Sequence, residues 1–274
     1  MSFYGLPTDS IENDLLSLEY LMEAGPRIVR LIYKPRNINL LSEAPDAKLN
    51  SPYGDYSMHG GHRFWAAPES PGFTYVPDDS GLLVEKSTGS VSLIGLMEAA
   101  VGLQKRIDIK LPGNSPVVEL HHTLTNRGSK PVSCAAWALT MLPAGGIATM
   151  PLRGDPGSRF LPDRQIAFWP YTKLNDPRLT LLDDRLQVEA SADPQIFKAG
   201  ARCPQGWITY AYHGVTFKKE FAFDGAANYT DFGCNAEVYT DGVNIELESM
   251  SGIVELSPGG SIHHQETWSV SETN

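Results

Sequence analysis

The densest group of side chains able to do chemistry is the segment HGGHRFW at residues 59–65, followed by a Pro-Glu pair at residues 68–69. An aromatic ring there can stack on the apolar face of a sugar, and the guanidinium fork of Arg63 can hydrogen-bond hydroxyl or phosphate oxygens. The two adjacent glycines allow the backbone to approach a ligand closely. The segment therefore predicts a polar sugar-binding wall that contains His62, Arg63 and Trp65. The alternative is structural, with Trp65 in the core and Arg63 paired to Glu69.

Histidines elsewhere offer weaker candidates. His59 and His62 have a spacing that binds metal when both lie on a helix face, but the two glycines between them disfavour a helix, and we expect no metal. His121-His122 and His263-His264 lie on predicted strands, where successive side chains point to opposite faces. At most one member of each pair can reach a shared site, and His122 is the candidate for substrate binding.

The segment NIELE at residues 244–248 contains two carboxylates. Its strict alternation places Asn244, Glu246 and Glu248 on one face of a strand. A carboxylate that is partly desolvated on such a face has a raised pKa and can act as a general base. The alternative is a solvated outer face, and Glu237, which precedes Val-Tyr on another strand, has the same two interpretations.

Several reaction classes are disfavoured by what the sequence lacks. There is no GxSxG nucleophile elbow, no P-loop and no GxGxxG unit. We therefore expect no nucleotide-dependent chemistry and no cofactor. The 22 basic and 32 acidic residues give a net charge of −10, and the pI is about 5.1. Nucleic acid is a poor partner for such a surface, because phosphate binding needs a basic one.

The cysteines and the apolar segments bear on location. Three widely spaced cysteines form no disulfide framework or zinc motif and are typical of a reducing compartment. The first residues lack the pattern of a signal peptide, and no apolar run reaches the roughly 18 residues of a membrane span. We expect a cytoplasmic protein with no membrane partner.

The elements that must position these groups are strands. The 274 residues include 25 Gly and 20 Pro, spread along the whole chain, so turns recur and long helices have little room. More than a dozen segments between turns are rich in apolar and β-branched residues, and residues 117–126 and 132–142 bracket a hairpin turn. The pattern predicts an all-β protein, a large antiparallel sandwich forming one domain over residues 1–274.

Two segments depart from this pattern. Residues 96–103 are helix-like in composition but lie between strands, which leaves a bulged strand or one short helical turn open. Residues 144–177 are rich in Pro, Gly, Arg and Asp yet contain four aromatic residues, which favours a packed loop over a linker. Exposed edge strands of a large sandwich could also pair two copies into a homodimer.

In this order, the motifs resemble the aldose 1-epimerase (galactose mutarotase-like) superfamily, and most closely a divergent bacterial branch of it. The resemblance covers nearly the whole chain. It begins with GPRI at residues 25–28 and NLL at 39–41, and it continues with GG-x-R-x-W-x-x-PE at residues 60–69. Further motifs follow: FKAG at 197–200, FKK at 217–219, EVYT at 237–240, ELE at 246–248, LSPG at 256–259 and ETW at 266–268.

The resemblance implies a β-supersandwich with a concave face that binds a small carbohydrate. In the family, a glutamate near the C-terminus takes the proton from the sugar O1, while a histidine protonates the ring oxygen. The ring opens, the C1–C2 bond rotates, and closure gives the other anomer. Glu248, just before the Leu-x-Pro-Gly turn, corresponds best to that glutamate, and Glu246 is the fallback.

The family histidine is absent from its usual place. It lies seven positions into the strand that begins at the Pro-Val pair, and that position is Trp137 here. His62 or His122 could substitute as the acid, or Arg63 could polarise the ring oxygen. Alternatively, catalysis is lost and binding is kept, with Trp137 as a stacking platform.

Three functions therefore stay open. The first is an enzyme that interconverts sugar anomers, with Glu248 and His62 as catalytic residues. The second is a non-catalytic carbohydrate-binding protein on the same scaffold. The third is lyase chemistry on a uronic acid, whose carboxylate Arg63, Lys198 and Lys219 could hold. The predicted substrate-binding residues are Arg63, Trp65, His122, Trp137, Lys198, Glu237 and Glu246.

Overall fold

The computed structural model describes residues 1–152 and 160–273, and these are mostly β-strand. The helices among them are a single turn, α1 (Pro71–Thr74), and two 3-10 helices at Lys34–Arg36 and Asp231–Gly233. No helix in the described part of the chain combines the length and the apolar character that crossing a bilayer requires. The strands are β1 (Ser2–Phe3), β2 (Leu6–Glu12), β3 (Leu16–Leu21), β4 (Arg27–Tyr33), β5 (Ile38–Asn39), β6 (Glu43–Ser51), β7 (Gly54–Gly60), β8 (His62–Ala67), β9 (Leu83–Ser87), β10 (Ser90–Glu98), β11 (Leu103–Lys110), β12 (Val117–Asn126), β13 (Val132–Pro143), β14 (Ile147–Pro151), β15 (Ile166–Phe168), β16 (Leu179–Leu181), β17 (Arg185–Glu189), β18 (Phe197–Ala201), β19 (Trp207–Tyr212), β20 (Val215–Phe221), β21 (Ala236–Thr240), β22 (Asn244–Met250), β23 (Val254–Leu256) and β24 (Ser261–Glu272).

Most of these strands belong to two large antiparallel sheets. The first sheet has the order β1-β2-β3-β4-β8-β13-β22-β21-β18-β15, with β5 beside β4 and β23 beside β13. The second sheet has the order β16-β17-β14-β19-β20-β24-β12-β11-β10-β9, and β6 and β7 form a separate hairpin. The prediction of an all-β antiparallel sandwich is confirmed.

The core lies between the two large sheets. The first sheet contributes Phe64 and Leu247, and the second contributes Ile107, Phe217 and Trp268, all fully buried in one apolar cluster. Strand β11 shows how the sequence produces this, because its alternate residues point inward while the residues between them stay partly exposed. Burial of this apolar surface drives the two sheets together.

The two unusual segments resolve as strands and turns. In residues 96–103, strand β10 continues to Glu98 with a register shift between Ile94 and Met97, and a turn follows. The bulged-strand interpretation is therefore correct, and no helix forms there. The segment 144–177 contains β14 and β15, while residues 153–159 lie outside the described residues.

The Gly-Gly pair forms a tight turn between β7 and β8. His59, Gly60 and Gly61 all have left-handed φ values of 58°, 83° and 63°. A Cβ on Gly61 would lie 2.0 Å from the carbonyl oxygen of Ile28, and one on Gly60 would lie 2.3 Å from that of Ser42. Only glycine fits against the neighbouring backbone here, so this turn fixes which way the side chains of β8 point.

Strand β8 divides its side chains between two environments. His62 and Phe64 point into the core, whereas Arg63 and Trp65 point to the opposite side of the first sheet. We call that opposite side the pocket face. It carries a second apolar cluster, which includes Trp65, Trp137 and Met250, so the central strands are buried on both faces.

His62 and His122 belong to a polar network in the core. His122 Nδ1 lies 3.1 Å from the carbonyl oxygen of His264, which can only accept, so Nδ1 carries the proton. The bare Nε2 of neutral His122 then accepts from His62 Nε2–H at 2.8 Å. His62 Nδ1 in turn accepts from the hydroxyl of Thr140 at 2.9 Å. One hydrogen-bond pattern thus fixes the tautomer of each histidine.

A buried ion pair adjoins this network. The ammonium of Lys219 lies 2.9 Å from Glu266, and both side chains are fully buried. Lys219 also donates to the carbonyl oxygens of Ala138 and Leu247, at 2.9 and 3.0 Å. Trp268 Nε1 donates to Glu266 at 2.8 Å. The attraction of Lys219 for Glu266 opposes the cost of burying the two charges, although burial still lowers the pKa of Lys219.

The histidine network makes stability depend on pH. Burial lowers the pKa of His122 from 6.5 to about 4 and that of His62 well below its ordinary value. The unfolded chain therefore binds more protons between these pH values, and we expect the free energy of unfolding to fall as the pH drops from 6.5 toward 4. Each such histidine contributes up to about 1.4 kcal/mol per pH unit. Urea titrations at several pH values measure this slope.

The matched comparison is His122→Gln against His213→Gln, because His213 is exposed in the turn between β19 and β20. The first variant should show a shallower pH dependence than the wild type, and the second should keep the wild-type slope. Identical slopes in all three proteins would contradict the role assigned to His122.

Candidate active site

A pocket of about 310 Å³ opens on the pocket face of the first sheet. Its floor is formed by β8, β13, β22, β21 and β18, and β6, β7 and loops form its sides. Its aromatic lining residues are Trp65, Tyr75, Trp137, Tyr171 and Tyr239. Its charged lining residues are Lys48, Arg63, Glu69, Lys198, Asp241, Glu246 and Glu248. Aromatic surfaces beside hydrogen-bonding groups are what a polyhydroxylated ring requires.

Strand register determines which charged groups meet. Arg63, Leu139, Glu248 and Glu237 lie directly opposite one another across β8, β13, β22 and β21. Because side chains alternate, all four lie on the pocket face. Glu237 and Glu248 are consequently a like-charged pair on adjacent strands, an arrangement that destabilises a sheet unless a cation lies between them.

Lys198 supplies that cation from β18. Its Nζ lies 2.7 Å from Glu237 Oε2 and 2.9 Å from Glu248 Oε2, and all three side chains are at least 95% buried. Burial raises the pKa of Glu237 and that of Glu248 above the ordinary glutamate value, although Lys198 opposes this. Burial acts to lower the pKa of Lys198, but the two carboxylates outweigh it and hold that pKa well above the ordinary value.

Trp137 and Lys198 hold Glu248 in place. The indole Nε1 of Trp137 donates to Glu248 Oε2 at 2.9 Å, the same oxygen that Lys198 contacts. Neither of these two donors contacts Oε1 of Glu248. Lys198 Nζ also lies over the rings of Trp137 and Trp169, at 4.9 and 4.6 Å from their centroids. The carboxylate of Glu248 is thus oriented by one oxygen while the other can accept a proton.

Two nitrogens of Arg63 have no hydrogen-bond acceptor among the described residues. Its Nη2 donates to both carboxylate oxygens of Glu246, at 2.9 and 2.8 Å, and its guanidinium stacks on Trp65 at 4.1 Å. Its Nε and Nη1 are buried, and no described residue accepts a hydrogen bond from them. Buried donors without acceptors are costly, so a water molecule or a ligand oxygen is expected to satisfy them.

The tyrosines of the pocket are neutral hydroxyl groups. Tyr75 donates to Glu69. Burial raises the pKa of Tyr75, Tyr171 and Tyr239, the last to about 12. These hydroxyls keep their protons at neutral pH and can donate to ligand oxygens or accept from ligand hydroxyls.

The charges of the lining residues bear on the class of ligand. Four carboxylates, from Glu69, Asp241, Glu246 and Glu248, face three cations, from Lys48, Arg63 and Lys198. Arg63 and Lys198 are already paired with pocket glutamates. An anionic ligand would bring a further negative charge into a lining that already has an excess of one. The balance favours a neutral ligand over a phosphate or a uronic acid.

Most of the predicted site residues line this pocket. Arg63, Trp65, Trp137, Lys198, Glu246 and Glu248 are all part of its wall. Glu237 lies behind Lys198, is fully buried and pairs with that ammonium, but it is not a lining residue of the pocket. Arg63 pairs with Glu246 rather than with Glu69.

His62 and His122 are not brought to the pocket. His62 precedes Arg63 on β8 and therefore points to the other side of the sheet, into the core. His122 faces the same core from the second sheet. Lys219, the other candidate for holding a carboxylate, lies in this core network too. None of the three is a lining residue of the pocket.

The core histidines also meet the rough spacing of a metal site. One nitrogen each of His62 and His122 and a carboxylate oxygen of Glu266 lie within 4.8 Å of one another. The nitrogens facing each other already share a hydrogen bond, and Glu266 is paired with Lys219. A metal would have to break both interactions. His59 points elsewhere and contacts Asp79 at 3.2 Å.

Other pocket residues were missed at the sequence level. Tyr239 could have been found, because it is two residues from Glu237 on the same strand and therefore shares its face. Tyr75 and Tyr171 lie outside the strands, where no periodicity predicts direction.

Known structures with the same fold support the resemblance. A galactose mutarotase-like protein from Lactobacillus casei ATCC 334 aligns over 97% of this chain and 100% of its own, with a TM-score of 0.60 and 13% identity. A galactose mutarotase-like protein from Clostridium acetobutylicum aligns over 100% and 97%, with a TM-score of 0.63 and 10% identity.

A TPR-domain containing protein from Parabacteroides distasonis aligns over 98% of this chain but 48% of its own length, with a TM-score of 0.69 and 13% identity. No family sequence model matches the chain, and no curated protein matches it in sequence. The resemblance to galactose mutarotase-like proteins is thus confirmed for the fold.

Replacing Lys198 tests the charge arrangement. Lys198→Met leaves two buried carboxylates on facing strands without a cation, and we expect it to lower the free energy of unfolding by roughly 3–5 kcal/mol. The double variant Lys198→Met/Glu237→Gln should recover part of this loss, because only one carboxylate then remains. Urea denaturation at neutral pH measures both.

Lys86→Met is the matched control, since Lys86 pairs with Asp9 at 2.6 Å but both side chains are more than one-third exposed. Its cost should stay under about 1 kcal/mol. A Lys198→Met variant no less stable than Lys86→Met would show that the buried ammonium does not hold the site together.

Proposed function

We propose that the protein binds a neutral sugar in the pocket and interconverts its anomers by general acid–base catalysis. The observation that carries this proposal is Glu248, a buried carboxylate with a raised pKa at the wall of an aromatic pocket, 2.9 Å from a buried ammonium. A pKa nearer to neutral makes a carboxylate a better base at the working pH. The neighbours named as galactose mutarotase-like proteins support the same reaction class.

The reaction needs one base and one acid close together. Glu248 takes the proton from the hydroxyl on C1, the C1=O double bond forms, and the bond from C1 to the ring oxygen breaks. The ring oxygen leaves as an alkoxide and receives a proton. Rotation about C1–C2 and the reverse steps give the other anomer. Both oxygens are bonded to the same carbon, so a base and an acid that touch each other can serve both.

Lys198 is the acid in this proposal. It holds its proton at neutral pH because of Glu237 and Glu248, yet an alkoxide is more basic than a lysine amine and can take that proton. In the reverse step the ring hydroxyl gives its proton back to Lys198. Glu237 then stabilises the positive charge of the restored ammonium. Trp137, which stands where the family histidine would be, orients Glu248 and offers a surface for the sugar ring.

A second candidate is a carbohydrate-binding protein without catalysis. The observation in its favour is that no histidine is among the described residues that line the pocket. The resemblance also implies a histidine acid at the position of Trp137. Binding alone would use the same aromatic walls and the spare donors of Arg63. The following two experiments separate the two candidates.

Glu248→Gln tests the base. It keeps the size of the side chain but removes the proton acceptor, and we expect anomer exchange to slow by about 10²–10⁴-fold. One-dimensional exchange NMR on a panel of free aldoses measures the rate. Glu119→Gln, an exposed carboxyl paired with Lys110 on the second sheet, should retain the wild-type rate.

The pH profile of the same reaction checks the pKa. Activity should be lost on the acidic side with a midpoint above the ordinary glutamate value of 4.5, because burial raises the pKa of Glu248. If aldoses bind but wild type and Glu248→Gln both exchange them at the buffer rate, the protein is a binding protein. If no aldose binds at all, both candidates fail.

Lys198→Arg tests the acid. Arginine keeps the positive charge between Glu237 and Glu248, but its guanidinium does not release a proton. We therefore expect sugar binding within a few-fold of the wild type and a loss of exchange comparable to that of Glu248→Gln. Saturation-transfer NMR gives the binding and exchange NMR the rate. Exchange at the wild-type rate in this variant would assign the acid to another group.

A further inference from the structure

Beside the pocket, a large aromatic side chain is exposed to solvent and does not pack in the core. Phe232 is 86% exposed and has a left-handed φ of 59°, and Asp231 before it has a φ of 50°. Neither residue is glycine, so the left-handed backbone conformation is unfavourable for both. The exposed phenyl ring of Phe232 also does not contribute to stability through burial. Conformations of this kind are found where a side chain is presented for function.

Phe232 forms one wall of a small groove. The groove has a volume of about 130 Å³ and is lined by Ala167, Phe168, Trp169, Pro170, Asp231 and Phe232. Three of these residues are aromatic and can stack on the apolar face of a sugar, and the carboxylate of Asp231 can accept hydrogen bonds from its hydroxyls.

The groove continues the pocket across the first sheet. Ala167, Gly200, Glu237 and Glu248 are register partners on β15, β18, β21 and β22, and they share the pocket face. Three strand spacings separate Ala167 from Glu248, about 14 Å, which is wider than one pyranose ring. Trp169 lies between the two sites, because it lines the groove while its ring lies 4.6 Å from the Nζ of Lys198.

We propose that the groove binds a second sugar ring, so that the ligand of this protein is a disaccharide or longer. The reducing-end ring lies in the pocket with its C1 hydroxyl at Glu248, and the next ring lies between Trp169 and Phe232 with its hydroxyls toward Asp231. This inference rests on the proposed function, because it takes the first ring to be a sugar. It extends that function by defining the size of the ligand and the residue that selects it.

Phe232→Ala tests the groove. The probes are glucose and galactose, compared with maltose, cellobiose and lactose, and saturation-transfer NMR titrations give their dissociation constants. We expect at least one disaccharide to bind the wild type about three- to tenfold more tightly than its reducing-end monosaccharide. Phe232→Ala should abolish that gain and leave monosaccharide binding unchanged, whereas Phe232→Tyr should keep it.

Tyr4→Ala is the matched control. Tyr4 is also an aromatic residue with a left-handed φ, 47°, and is 64% exposed, but it lies beside β1, at the opposite end of the first sheet from β15. It should leave both affinities unchanged. Monosaccharide binding with no gain for any disaccharide would overturn the groove and leave the proposed function standing, as would a gain that survives in Phe232→Ala. Binding of none of the five sugars would overturn both.

Discussion

Buried charge is the constraint on which this structure depends. Its central strands are covered on both faces, so every ionised side chain there needs a partner of opposite sign on the same face. Lys219 with Glu266 meets this condition in the core, and Arg63 with Glu246 meets it in the pocket. Lys198 faces two carboxylates instead, and burial raises the pKa of one of them, Glu248, although Lys198 opposes this. The chemistry proposed for the site arises where the pairing of charges is incomplete.

Strand alternation keeps the two polar networks apart. The sheet that bears Arg63 on one side bears His62 on the other, and a slip of one residue in β8 would exchange them. The turn at Gly60 and Gly61 prevents such a slip, because the backbone atoms of Ile28 and Ser42 leave no room for any other residue. A steric constraint at one turn therefore determines which side chains of β8 face the pocket. The histidines on the other side, His62 and His122, join the two sheets through a hydrogen bond in the core.

Much of this could be predicted from the sequence, and the errors have a physical cause. Turn residues and β-branched segments were sufficient for the all-β class, and the alternation at residues 244–248 correctly grouped Glu246 with Glu248. The same alternation separates His62 from Arg63 on β8, but the two glycines before His62 hide where that strand begins. Tyr75 and Tyr171 were beyond prediction, because loop side chains have no period and reach the pocket only through tertiary packing.

The proposed catalysis needs no histidine among the described residues of the pocket. An indole cannot act as an acid, but Trp137 donates to the same oxygen of Glu248 that Lys198 contacts, so it aligns the carboxylate beside an ammonium. Lys198 is held there by Glu237, a residue that a binding site alone would not require, since it is fully buried and is not part of the pocket wall. Burying a second carboxylate against its neighbour is costly. That cost is understandable if Lys198 must regain its proton and stay in place in each catalytic cycle, which is why we favour catalysis over binding alone.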